Sequence, residues 1–136
     1  MSVLRRIGAS IGIGNLSVDV KAPSQVCVGE TLQGAVAITG GKVDQTAQGL
    51  WVGLRVAWET TDEDGNTQTH YNELLKRPFE LATVVQPGQN LQLQFGFVVP
   101  QSVELAAQGC WHQVFADVDI ASAVDVTGSA LIQVLP

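Results

Sequence analysis

The segment "DEDGNTQTHYNE" sets Asp62, Asp64, Asn66, Gln68, His70 and Glu73 at the offsets from which a calcium loop draws its oxygen ligands. Such a loop bends sharply on a glycine at its sixth position, but Thr67 stands there and Gly65 falls two places early. No helical pattern flanks the segment. Asp-Gly between alternating stretches is a strong hairpin signal, so these residues predict a solvated hairpin tip rather than a metal loop.

Asp117 and Asp119 lie two apart, on one face of any strand that carries them, and Asp125 follows closely. Three converging carboxylates could hold a cation or share a proton. The plainer reading turns Asp117 and Asp119 to water while Val114, Ala116, Val118 and Ile120 fill the core. His112 shares that core parity, which predicts a half-buried, hydrogen-bonded imidazole rather than a base. Cys27 and Cys110 are not spaced with either histidine as zinc ligands would be, and nothing pairs a thiol with an activating base. "GIGN" precedes a strand, whereas a phosphate cradle follows one and opens a helix. These residues predict no enzyme, no cofactor and no metal centre.

The elements that would position such side chains are mostly strands. Leu16, Val18 and Val20 alternate with Ser17, Asp19 and Lys21; Leu32, Gly34, Val36 and Ile38 share one face; Leu50, Val52, Leu54, Val56 and Trp58 repeat the rhythm. After "TGGK", which offers residues tolerant of positive φ, the chain resumes through "KVDQTAQ". "FELATVV" and "LQLQFGFVVP" flank the turn "QPGQ", with Leu91, Leu93, Phe95, Phe97 and Val99 facing inward. "CWHQVFADVDI" and "SALIQVLP" complete eight or nine strands, which predicts an all-β antiparallel sandwich of immunoglobulin-like type. Only "SVLRRIGASIG" shows helical spacing, through Val3, Leu4, Ile7 and Ile11, with Gly12 and Gly14 to stop it. The expected organisation is one domain over residues 1–136, with a short amphipathic helix in 1–14 and the sandwich in 15–136.

A chain of 136 residues with 46% hydrophobic and 15% charged residues can bury its own core. Its net charge of -6 and lack of a basic block argue against nucleic acid. No apolar run is long enough for a membrane span, and the basic, glycine-rich start lacks a convincing cleavage site. A soluble, cytoplasmic protein with two free thiols is therefore expected.

Four segments carry a family resemblance: "RRIGASIGIGNLSVDV", "VGETLQGAVAITGGKVDQ", "QPGQNLQLQFGFVVP" and "ADVDIASAVDV". The second resembles the arrestin-like superfamily, whose first long strand follows a Pro-Gly-Glu turn and carries a Gly-x-Val step. Their order and spacing together resemble the bacterial sporulation-control protein family over most of the chain. Val28 stands where that family tends to have proline, and a second proline after the Phe-x-Phe-x-x-Pro run is absent. Members are similar to two sandwiches in tandem, so the resemblance implies either a further domain or a partner in its place. It also implies a non-enzymatic regulatory or adaptor protein acting through protein-protein interaction.

Trp51 and Arg55 fall opposite the Leu50-to-Trp58 core face, and Trp111, Phe115, Asp117 and Asp119 fall opposite the His112-to-Ile120 face. Outward aromatics ask for a cover: the N-terminal helix, a loop, or a protein partner. These six residues form the candidate interaction surface, and open edge strands offer a second route, including to a homo-oligomer. The rival reading is an extracellular immunoglobulin-like or carbohydrate-binding module, in which Cys27 and Cys110 would bridge the sheets.

Overall fold

Alternating apolar residues become nine strands in the computed structural model, which describes residues 15–136: β1 (Ser17–Lys21), β2 (Gln25–Cys27), β3 (Thr31–Thr39), β4 (Gln45–Thr61), β5 (Thr67–Phe79), β6 (Thr83–Val85), β7 (Asn90–Val98), β8 (Cys110–Ile120) and β9 (Val126–Leu135). They form two sheets, one ordered β1-β3-β7 and the other β2-β9-β8-β4-β5 with β6 also on β4. The described residues contain no helix. The helix expected within 1–14 lies outside the described residues.

One pairing departs from the antiparallel expectation. β2 runs parallel to β9, aligning Gln25 with Gln133 and Cys27 with Leu135, while all other pairs are antiparallel. The turn that follows β2 explains how the chain leaves this position. Gly29 takes φ 84°, the left-handed conformation that favours glycine, and the Glu30 carboxylate accepts the Cys27 N–H at 2.8 Å. The chain can then cross to β3 in the opposite sheet.

The inner faces are those the alternation predicts. Leu16, Val18, Val20, Leu32, Val36 and Ile38 come from the smaller sheet side and meet Leu50, Val52, Leu54, Val114, Ala116, Val118 and Ile120 from the larger. Each fully buried side chain of this size contributes about 1.5–3 kcal/mol relative to exposure, which makes this interior the main source of stability.

Two irregularities redirect β4 and β5. The β4–β8 register shifts between Ala47 and Gly49, so odd-numbered Ala47 is buried and yet even-numbered Leu50 is too. The β4–β5 register shifts opposite Leu54 and Arg55, leaving Leu74 as the extra residue on β5. "FELATVV" is likewise not one strand: β5 ends at Phe79 against Leu50, and β6 resumes at Thr83 against Ala47. Val56 and Trp58, expected in the core, are only half-buried; Val56 lines a cavity beside residues 100–107, and Trp58 stacks on His70 at 5.6 Å.

The hairpin tip between β4 and β5 is exposed, as predicted. Asp62 accepts the N–H groups of Asp64 and Asn66 on one carboxylate oxygen, at 2.9 Å each, and Gly65 takes φ 84°. Gly88 gives the "QPGQ" turn its positive φ of 76°. Gly40 serves differently from the expectation: it needs no positive φ, but a side chain there would run into the Gln86 carbonyl.

Candidate interaction surface

Cross-strand partners in an antiparallel sheet share a face, so the register of the larger sheet lays out its outer surface in rows. Trp51 lies between Pro78 and Asp117, with Thr127 beyond; Gly53 lies between Lys76 and Phe115; Arg55 lies between Glu73 and Gln113, with Leu131 beyond; Ala57 lies between Tyr71 and Trp111. The bulge at Leu74 puts Tyr71 and Lys76, which have opposite parity in the sequence, on this one face.

The rows are tied together by cations on aromatic rings. The Arg55 guanidinium lies 3.9 Å from the Tyr71 ring centroid and 5.3 Å from that of Phe115, and its Nε donates to Gln113 Oε1 at 2.8 Å. Burial lowers the Arg55 pKa from its ordinary value, a cost opposed by Tyr71, Asp117 and Glu73. Lys76 Nζ stands 5.3 Å from the Trp51 ring, 3.3 Å from Asp117 and 3.7 Å from Glu73. Contacts of this kind contribute about 0.5–2 kcal/mol each, enough to fix side chains that would otherwise be free.

Gly53 makes the arrangement possible. A Cβ at this position would strike the Leu75 carbonyl and lie 2.9 Å from the Phe115 ring. Phe115 fills that space and is fully buried, although it belongs to the outer face and not to the main core. This corrects one expectation: Phe115 supports the surface from beneath and offers nothing for a partner to touch. Trp51, 39% exposed, and Tyr71, 49% exposed, do present themselves. Trp111 is half-buried beside a cavity of about 610 Å³.

The carboxylates are already engaged. Asp117 accepts from the Thr127 hydroxyl and pairs with Lys76; Asp119 accepts from Gln48 Nε2 at 3.2 Å. Asp125 has its pKa raised by partial desolvation, then by the charge and hydrogen bond of Asp119 and the charge of Asp117. Among the described residues, no group of three or more His, Cys, Asp or Glu is placed to hold a metal ion. Asp117 and Asp119 stand on the outer face, as the core-filling reading of β8 requires.

His112 is 3% exposed, deeper than the half-buried position expected, with its ring hydrogen-bonded to the Glu104 backbone. Burial lowers its pKa below 6.5, and the Glu104 bond opposes that shift. Cys27 and Cys110 are free thiols. Their strands β2 and β8 lie in the same sheet, so the inter-sheet bridge of the immunoglobulin-like reading is overturned.

Tyr71, Lys76, Gln113 and Leu131 were not singled out from the sequence. The bulge at Leu74 hides the first two from a period-two reading, and Gln113 becomes significant only as the partner of Arg55.

A profile of the family described as "SpoOM protein" matches residues 4–136. The chain belongs to the SpoOM protein family. It is 27% identical over 128 residues to the sporulation-control protein spo0M of Bacillus subtilis, covering 92% of this chain and 48% of that protein. The crystal structure of Bacillus subtilis Spo0M superposes with a TM-score of 0.76 at 24% identity, over 91% of this chain and 51% of that one. The chain thus spans about half the length of these SpoOM relatives. A CARDB domain from Pyrococcus furiosus, solved in complex with di-metal ions, has a TM-score of 0.51 at 14% identity, over 89% of this chain and 88% of that one. That likeness is one of fold.

Proposed function

We propose that this SpoOM-family chain is a cytoplasmic, non-enzymatic regulatory or adaptor protein of the sporulation-control type. In this reading an arrestin-like sandwich works by protein-protein interaction. The observation that carries it is the outer face of β5, β4 and β8, where exposed Trp51 and Tyr71 are held in place by Lys76 and Arg55. Large amphipathic rings fixed before contact lose little entropy on binding, which is the character of interface hot spots. Each cation on the face has a carboxylate beside it, so the partner is expected to bring apolar and hydrogen-bonding groups rather than a strongly charged patch.

The test compares capture of partners from native cytoplasm by the unaltered chain, by Trp51→Ala/Tyr71→Ala, and by the hairpin-tip variant Glu63→Gln. A partner retained by Glu63→Gln and lost by the double variant supports the reading. Equal capture by all three, or catalytic turnover traced to this chain, overturns it.

A further inference from the structure

We propose that β7 is a self-pairing edge: two copies of this chain join antiparallel along Asn90–Val98, with the two-fold axis at Gln94, to make one continuous six-stranded sheet.

The orientation of the β7 backbone follows from bonds at the two ends of its ladder with β3. The Gly40 N–H donates to the Gln89 carbonyl at 2.8 Å, and the Val99 N–H donates to the Glu30 carbonyl at 2.9 Å. Between these points the register runs from Thr39↔Asn90 to Thr31↔Val98 without a shift. Hydrogen-bonded and non-hydrogen-bonded pairs alternate in an antiparallel ladder. Leu91, Leu93, Phe95 and Phe97 therefore spend their N–H and C=O groups on β3. Asn90, Gln92, Gln94, Gly96 and Val98 direct theirs away from β3, toward the open edge. Among the described residues β7 has no other strand partner.

The remaining edges are blunted in the ways sheets commonly avoid mutual pairing. β5 carries Glu73, Lys76, Arg77 and Pro78 and is broken by the Leu74 bulge. β1 is five residues long and includes Asp19 and Lys21, and β2 and β6 have only three residues each. β7 has nine residues, no charge, no proline and no bulge. Among the strands that end a described sheet, it is the long one left without such a device.

A second copy suits it for three reasons. The chain carries a net charge of -6, which opposes association overall, and this strand has no charged residue to add to that repulsion. The register centred on Gln94 sets Gln92 opposite Gly96 and Asn90 opposite Val98, matching every outward-directed backbone group with a partner. On the inner face it brings Leu91 beside Phe97 and Leu93 beside Phe95 of the opposite copy, extending the apolar layer at a place where Leu91 and Leu93 are only half-buried. Such a two-fold contact is closed: it consumes the β7 edge of both copies and stops at a dimer. The interface is small, so association is expected to depend on concentration. It is independent of the Trp51 face, and its failure would leave that reading untouched.

Light scattering after size exclusion should give a mass rising from 14.4 kDa toward twice that value as concentration increases. Gln94→Lys sets two ammonium groups against each other at the axis, and Gln94→Pro deletes an outward donor while sparing the β3 ladder. Both variants should bind themselves at least about tenfold more weakly, a loss of about 1.4 kcal/mol. Their melting, measured in dilute solution, should match the unaltered chain in at least the Lys variant. Thr69→Lys, on exposed β5, should dimerise normally. Amide exchange at Gln92, Gln94 and Gly96 should slow with concentration in the unaltered chain. A monomer up to about 1 mM, the weak limit of useful association, overturns the proposal. So does undiminished dimerisation of both Gln94 variants, or loss of the dimer in Thr69→Lys.

Discussion

Gly53 is the residue on which the outer face depends, because its missing side chain lets the Phe115 ring and the Leu75 carbonyl close over β4. Gly53→Ala forces a backbone carbonyl to move and is expected to cost at least about 2 kcal/mol, read from chemical denaturation. Trp51→Ala, at an exposed position, should cost under about 1 kcal/mol and leave the fold intact. His112 makes a second residue-scale prediction. Its folded pKa lies below the ordinary 6.5, so the unfolded chain takes up a proton first as pH falls. The stability contribution of neutral His112 is full above 6.5 and is lost as pH falls toward the folded pKa. Thermal melts from about pH 7.5 to about pH 5.5 should show this loss, and His112→Phe should flatten that part of the profile.

At the scale of elements, the turn between β2 and β3 couples backbone and thiol. Glu30 caps the Cys27 N–H and, through a hydrogen bond, is the largest cause of the raised Cys27 pKa, ahead of desolvation and its own charge. Glu30→Ala should lower that pKa and increase the thiolate fraction. Alkylation near pH 8 should then accelerate at Cys27 and remain unchanged at Cys110. The same turn illustrates what local sequence can carry: "VGE" marks it through a glycine suited to positive φ and an acid one residue on. The β4 and β5 bulges carry no comparable mark. Gln48 is the extra residue on β4 against β8, and Leu74 is the extra residue on β5 against β4.

Across the whole molecule, the placement of β2 decides the state of the cysteines. β2 and β8 belong to one sheet, and labelling of the denatured, unreduced protein should find two reactive thiols. A single disulfide would contradict the described pairing. The SpoOM assignment rests on the match over residues 4–136, and the sandwich agrees with it.

The sequence alone determined most of the strands and the inner faces of β3 and the middle of β4, since alternation at Leu32–Ile38 or Leu50–Leu54 is a local consequence of strand geometry and the drive to bury apolar groups. It also supplied the family segments and marked Trp51, Arg55 and Asp117 as outward-facing. Only the tertiary structure decided that Phe115 is sealed beneath them, that Tyr71 and Lys76 join them across a bulge, and that β2 lies parallel to β9. Those outcomes depend on which distant strands meet and in what register, and period-two spacing is the same for every partner a strand could choose.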